Sequence, residues 1–85
     1  MHEQLEEQLL SILAECSDTL PTTDIDNIRE LFLVGEYSVG YENLCTQLYE
    51  YEVKIRKDFY GRLASLGELM QLDKSTWEIL EELIY

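Results

Sequence analysis

The spacing of apolar residues between Ile55 and Met70 constrains the fold more than any other feature of this 85-residue sequence. Between these two ends lie Phe59, Leu63 and Leu66, so the steps along the chain are four, four, three and four residues. Side chains three or four residues apart lie on one face of an α-helix. The pattern therefore predicts an amphipathic helix that buries one face against the rest of the chain.

The same period predicts two helices in the first part of the chain. Apolar residues predict a first helix from Glu3 to about Cys16, followed by a break that contains Pro21. A second helix is predicted from about Asp24 to Val34. Its buried stripe would consist of Ile25, Ile28 and Phe32.

Helix-end signals support these boundaries. Thr22 and Thr23 offer side-chain oxygens as N-caps, and Gly35 stands where a left-handed residue often ends a helix. Farther along, Ser75 and Glu78 have the spacing of a capping box. These signals predict helix starts near residues 22–24 and at residue 75.

Two further helices complete the predicted architecture. One runs from Tyr37 to about Tyr51 and contains Gly40, which indicates either a close helix crossing or an irregular first turn. A short final helix would present Trp77, Leu80 and Ile84 to the core.

No stretch alternates with period two for long enough to form a strand, and residues 49–55 are interpreted as a helix end plus a connector. No linker or internal repeat is visible along the chain. The sequence thus predicts one all-α domain over residues 1–85, a compact bundle of four to five short helices. Short helices are marginal alone, so packing must stabilise them.

Charge is the strongest guide to partners. Eighteen Asp and Glu residues against six Lys and Arg residues give a formal net charge of -12. Such a chain repels the phosphate backbone of nucleic acid and an anionic membrane surface, so neither is predicted as a partner. It attracts a basic protein.

Charge is also unevenly distributed. Residues 1–53 carry a net charge of -11, residues 54–67 carry +3 and residues 68–85 carry -4. The basic segment could form an anion site, but its acidic surroundings favour the interpretation that these bases neutralise neighbouring acids. Its four bases are Lys54, Arg56, Lys57 and Arg62.

The two cysteines, Cys16 and Cys45, lack the spacing of a redox or metal motif. We expect both to be reduced and apolar in role, with a single disulfide as the minor alternative. The N-terminus is too acidic for a secretory signal, and the longest aliphatic and aromatic run covers only residues 31–34. We therefore expect a cytoplasmic protein.

Catalysis is not predicted. The one histidine, His2, lies at the terminus, and no zinc spacing, phosphate-binding loop or nucleophile elbow occurs. Asp24 and Asp26 are interpreted as acids of a first helical turn. We expect no enzyme activity, no cofactor and no metal; a small carboxylate enzyme remains a minor alternative.

Tyrosines and outward-facing acids together indicate an interaction surface. Tyr has a large rigid body with a polar tip and is enriched at interface hot spots. The wheel positions of Tyr37 and Tyr41 favour the core, whereas Tyr49 is equally consistent with either environment. Carboxylates on such a surface can occupy positions where an enzyme would bind phosphates. The candidate contact residues are Asp26, Glu30, Glu42, Tyr49 and Glu50.

Two segments resemble small bacterial immunity proteins. They are GEYSVGYENLCTQLYEYEVKI, residues 35–55, and LGELMQL, residues 66–72. Both are similar to immunity proteins of the Maf type and of contact-dependent growth inhibition systems. The Gly-Glu-Tyr start and the run from Glu-Asn-Leu to Leu-Tyr-Glu carry most of the similarity.

The resemblance implies an intracellular inhibitor that binds the toxic C-terminal domain of a delivered effector and protects the producing cell. Toxins of this type are often nucleases, and an EndoU-like RNase acting on tRNA is the favoured partner. One-to-one occlusion of its active site by the five candidate contact residues is then expected. The alternative is a non-inhibitory acidic adaptor or regulatory module that binds a partner helix.

Overall fold

The chain forms a bundle of α-helices around one apolar core. The computed structural model describes the backbone of residues 2–85 and the side chains of residues 4–85. This part of the chain contains five α-helices and a final 3₁₀ helix, which confirms the predicted all-α bundle. In chain order the elements are α1 His2–Ala14, α2 Thr22–Leu33, α3 Tyr37–Glu50, α4 Lys57–Leu69, α5 Ser75–Glu78 and the 3₁₀ helix Ile79–Leu83.

The apolar stripes predicted from the sequence form most of the core. Each of the first four helices places one face inward, and the final α5–3₁₀ segment closes the bundle through Trp77 and Leu80. Burial of these faces stabilises helices that would be marginal alone. The most completely buried large side chains are Tyr41, Phe32, Leu9, Leu13, Ile28, Leu44, Leu48, Leu63 and Leu80.

The first two helices differ from the predicted boundaries. Helix α1 ends at Ala14, and Cys16 lies in the following turn, where it is nevertheless buried. Helix α2 begins at Thr22 because Pro21 takes the N-cap position, and its carbonyl accepts the N–H groups of Asp24 and Ile25. The predicted side-chain caps are therefore wrong, since no side-chain cap bond forms at this helix start.

The predicted capping box at the start of α5 is also wrong. The backbone N–H of Ser75 donates to Oδ1 of Asp73 at 2.9 Å, so the preceding aspartate caps the turn. Glu78 instead faces Lys74, with 3.4 Å between the carboxylate and the ammonium nitrogen. The hydrogen bond to Ser75 holds the pKa of the Asp73 carboxyl below its usual range.

Ile55, which the sequence placed both at the start of a helical stripe and in a connector, lies in the connector, where it meets Ile84, predicted on a helix, in an isolated parallel β-bridge. The N–H of Ile55 donates to the carbonyl of Leu83 at 3.0 Å, and the N–H of Tyr85 donates to the carbonyl of Ile55 at 3.2 Å. The apolar periodicity predicted burial of both residues but not their extended backbone. This bridge joins the α3–α4 connector to the end of the chain.

Two glycines allow close contact between helices. A Cβ atom at Gly40 would lie 2.6 Å from Cε1 of Phe32, so α2 and α3 cross closely at this point. A Cβ atom at Gly67 would collide with the indole of Trp77. Of the two explanations predicted for Gly40, the structure therefore supports the close crossing.

Three successive helices end in the same backbone motif. In each, the residue after the C-cap has a positive φ: 86° at Gly35, 49° at Glu52 and 60° at Gln71. The N–H of the next residue then donates to a carbonyl five positions back, as in a Schellman motif. The prediction for Gly35 is confirmed, but the two other positions hold residues that rarely adopt this conformation.

Gln71→Gly is expected to stabilise the fold by about 0.5–1 kcal/mol, because glycine adopts a positive φ without steric cost. Part of the strain relief is offset by the greater freedom of glycine in the unfolded chain. Urea unfolding measures the change. Gln71→Ala, which retains a Cβ atom, is the control and should give no stabilisation; equal effects of both variants would contradict the strain argument.

Both cysteines are buried free thiols. Burial raises the pKa of Cys16 to about 12, and burial likewise raises the pKa of Cys45 to about 12. Two apolar, reduced thiols agree with the sequence-based interpretation. Their raised pKa values link stability to alkaline pH, because the unfolded chain ionises these thiols more readily.

Stability should fall as the pH rises from 9.0, the ordinary thiol pKa, towards about 12 in the fold. Each thiol contributes a loss of up to about 1.4 kcal/mol per pH unit in that window. Urea unfolding below and within the window checks this in the parent and in the Cys16→Ala/Cys45→Ala variant. The variant should lose less stability between the two pH values; an identical loss would exclude the thiols as a cause.

Candidate functional site

All charged side chains that the structure describes are at least partly exposed. The few bases are largely used in local ion pairs. Arg29 pairs with Asp26 at 3.0 Å, Arg56 with Asp58 at 3.2 Å and Lys74 with Glu78 at 3.4 Å. Such exposed pairs contribute little to stability, so their main effect is to neutralise charge locally.

One ion pair joins distant parts of the chain. The guanidinium of Arg62 on α4 donates to both carboxylate oxygens of Glu15 at 2.6 and 2.8 Å, and it lies 4.0 Å from Asp58. The hydrogen bond from Arg62 lowers the pKa of Glu15, and the same bond raises the pKa of Arg62. Two of the four basic-segment residues, Arg56 and Arg62, thus neutralise acids, as the sequence predicted.

The predicted contact residues fall into two groups. Asp26 and Glu30 are exposed on α2, where Asp26 is paired with Arg29. Glu42, Tyr49 and Glu50 are exposed on α3 and line one depression of about 370 Å³. The structure therefore brings three of the five residues together and places the other two on a different helix.

A second depression, of about 360 Å³, shares Tyr49 and Glu50 with the first. Its rim adds Glu52 and Glu82, with Lys54 as a basic neighbour. The two depressions form a continuous surface because they have residues in common. We call this surface the Tyr49 face and define it by Glu42, Tyr49, Glu50, Glu52, Lys54, Ile79 and Glu82.

The Tyr49 face combines apolar contact area with negative charge. The side chains of Tyr49 and Ile79 remain 38% and 43% exposed, so part of each is available for apolar contact with a partner. Four carboxylates and one ammonium give the face a net charge of -3. This arrangement provides an apolar centre with an acidic rim, and no metal or acid–base pair is needed for it to bind a partner.

Four members of this face, Glu52, Lys54, Ile79 and Glu82, lie outside the predicted contact set. Ile79 and Glu82 belong to the 3₁₀ helix, more than 25 residues away from Tyr49 along the chain. Glu52 lies in the positive-φ position that ends α3. Only the tertiary contact between α3 and the final segment reveals that these residues share a surface.

The other tyrosines separate into different environments. Tyr41 is fully buried, which confirms its predicted core position, whereas Tyr37 is half-buried and donates a hydrogen bond to Glu6 at 3.1 Å. Burial raises the pKa of the Tyr37 hydroxyl, with a further contribution from Glu6. Tyr49 is the one of these three that offers much of its ring to a partner.

Comparison with protein-family models, curated proteins and solved structures finds no match to this chain. Among the residues described, no three or more potential metal-ligating side chains are grouped together. None of the helices in the described chain has the length and apolar character needed to cross a membrane. The case for function therefore depends on the chain's own surface.

Tyr49→Ala should change the free energy of unfolding by no more than about 1 kcal/mol, because Tyr49 is partly exposed and does not belong to the core cluster. Tyr41→Ala should cost about 3–5 kcal/mol, since it leaves a large cavity. Urea unfolding of both variants tests the contrast. Similar losses would show that Tyr49 is needed for folding, and Tyr49 variants would then be unsuitable for binding experiments.

Proposed function

We propose that this protein is an immunity protein that binds and neutralises a cognate basic toxin domain. The favoured toxin is a nuclease, in particular an EndoU-like RNase acting on tRNA, in keeping with the sequence resemblance of residues 35–55 and 66–72. The observation that carries the proposal is the Tyr49 face. It places exposed apolar side chains within an acidic rim on a chain of net charge -12.

The chemistry of a nuclease cleft explains why this surface suits it. A cleft that binds RNA presents cationic side chains to phosphates, and carboxylates such as Glu42, Glu50 and Glu82 can pair with those cations. Tyr49 and Ile79 supply apolar contacts that bulk charge attraction cannot provide. The protein would then exclude RNA by covering the cleft, with no reaction of its own.

The size of the molecule is compatible with a specific complex. A standard interface buries about 800 Å² on each partner, which is roughly one-seventh of the 5423 Å² surface of this chain. The molecule measures 32 × 27 × 18 Å, so one broad side is large enough to supply that area. A one-to-one complex is the simplest arrangement, since the Tyr49 face is formed within a single chain.

Affinity and rate have different physical sources in this complex. Protection at low toxin concentration calls for nanomolar affinity, equivalent to about -12 kcal/mol. Because the acids are exposed, their contribution is mainly to accelerate encounter, and it weakens with salt. Desolvated contacts at Tyr49 and Ile79 must supply much of the remaining free energy.

Co-expression with the polypeptide encoded immediately upstream, as the candidate toxin, tests the function itself. Cells that receive the toxin alone should stop growing and accumulate cleaved tRNA, whereas cells that also express this protein should grow. Failure to protect would contradict the inhibitor function and favour the adaptor alternative. Protection without tRNA cleavage by the free toxin would retain inhibition but exclude the proposed tRNase partner.

A pair of double charge reversals tests the binding surface. Glu42→Lys/Glu50→Lys and Asp26→Lys/Glu30→Lys change the net charge equally, but only the first alters the Tyr49 face. The first should weaken toxin binding at least 100-fold, whereas the second should weaken it less than about 10-fold through the loss of long-range attraction. Titration calorimetry measures both. The reverse order would place the contact on α2.

A further inference from the structure

A large depression lies away from the Tyr49 face, between α1 and α4. It has a volume of about 830 Å³ and is predominantly apolar, with buried Ile12 and Leu66 at its base. Small side chains leave it open, and Leu69, at 63% exposure, stands at its margin. We call this the α1–α4 groove; the residues used below are Ser11, Ile12, Gly61, Ser65, Leu66 and Leu69.

No packing contact or backbone conformation within the described chain explains why residue 61 is a glycine. Gly40 and Gly67 permit close packing against Phe32 and Trp77, and Gly35 adopts a positive φ. Gly61, in contrast, lies within α4, and a Cβ atom there would meet nothing within 4 Å. Glycine within a helix costs about 1 kcal/mol relative to alanine, so Gly61 is understood best if a neighbour from outside approaches the helix closely.

Charge identifies the kind of neighbour. The charged residues at the groove are Asp58 and Arg62, and Arg62 also binds Glu15, so these groups largely neutralise one another. Two carboxylates, Glu15 and Asp58, and one guanidinium, Arg62, give this region a net charge of -1, compared with -3 at the Tyr49 face. A second copy with net charge -12 therefore meets less repulsion here than at the Tyr49 face.

We propose that the α1–α4 groove binds a second copy of this chain about a two-fold axis. In an antiparallel pairing of α4 helices centred on Ser65, Leu69 of each copy lies opposite Gly61 of the other, because both are four residues from the centre. The same register brings Arg62 opposite the exposed Glu68, three residues from the centre. The leucine then enters the space that Gly61 leaves open, and charges of opposite sign face each other.

The interface is small, which sets the expected affinity. Nine residues line the groove, compared with 20–30 residues on each side of a standard interface. The dimer should therefore dissociate in the micromolar range. It uses α1 and α4, whereas the Tyr49 face uses α3, the α3–α4 connector and the 3₁₀ helix, so self-association and toxin binding are independent.

Analytical ultracentrifugation of the complete chain at increasing concentration tests the proposal. The mass should rise from monomer to dimer, and the dimer should strengthen several-fold between about 0.05 and about 0.5 M NaCl, because salt screens the repulsion between two acidic chains. Binding of a basic toxin should instead weaken as the salt concentration rises. A monomer under all conditions would overturn the proposal and would favour a helix of another protein as the ligand of the groove. A dimer that weakens with added salt would overturn the argument from charge repulsion.

Two matched leucines locate the interface. Leu69→Gln should weaken the dimer at least ten-fold, whereas Leu33→Gln should leave it unchanged. Both leucines end their helices and have similar exposure, 63% and 56%. An equal effect of the two substitutions would overturn the assignment to the groove.

Gly61→Gln separates interface loss from misfolding. It should weaken the dimer at least ten-fold but raise the urea midpoint of the monomer, because Gln is the better helix former and the space in the monomer is open. A dimer of unchanged strength would overturn the proposal. Leu69→Gln should retain full protection against the toxin. Loss of the dimer is therefore detected separately from loss of the proposed inhibition.

Discussion

The contact of Tyr41 with α4 and α5 is the interaction on which the arrangement of the second half of the bundle depends. Its hydroxyl donates to the carbonyl of Leu63 at 2.7 Å, and its ring meets that of Trp77 edge-on with 6.5 Å between centroids. Burial raises the pKa of this hydroxyl, so it stays protonated and can donate. Gly67 makes the contact possible, because any side chain there would collide with Trp77 and approach the Tyr41 oxygen. One buried residue thereby fixes α3 against α4 and against the final segment, and this packing positions Ile79 beside Tyr49.

A net charge of -12 imposes a cost that the core must offset. No described charged side chain is buried, so the fold avoids the larger penalty of desolvating a carboxylate. The ion pair of Arg62 with Glu15 connects α4 to the turn after α1, while the other ion pairs among the described residues join residues two to four positions apart. The acids at the Tyr49 face have few bases among them, which leaves their charge available to a partner.

Apolar periodicity was sufficient to predict four helices and most of the core, because one buried face is a property of each helix alone. It failed where backbone bonds outside a helix decide the conformation, as at Ile55 and Ile84. Capping signals were less informative. Pro21 occupies the N-cap position of α2 that was expected for a threonine, and near the start of α5 Asp73 accepts a hydrogen bond from Ser75, which was itself expected to be the cap. For the candidate site, wheel positions correctly placed Glu42 and Glu50 at the surface. They could not reveal Ile79 or Glu82, whose proximity to Tyr49 arises from tertiary packing.

The two surfaces differ in a way that follows from the distribution of charge. At the Tyr49 face, apolar side chains lie among the carboxylates of Glu42, Glu50 and Glu82, and this negative charge favours a cationic partner over an anionic one. At the α1–α4 groove, Arg62 is placed between two acids and cancels much of their field. Added salt should therefore weaken association at the first surface and strengthen it at the second. An acidic second copy is disfavoured at the Tyr49 face, and the nearly neutral groove has little charge with which to attract a basic partner, so the two associations would not compete.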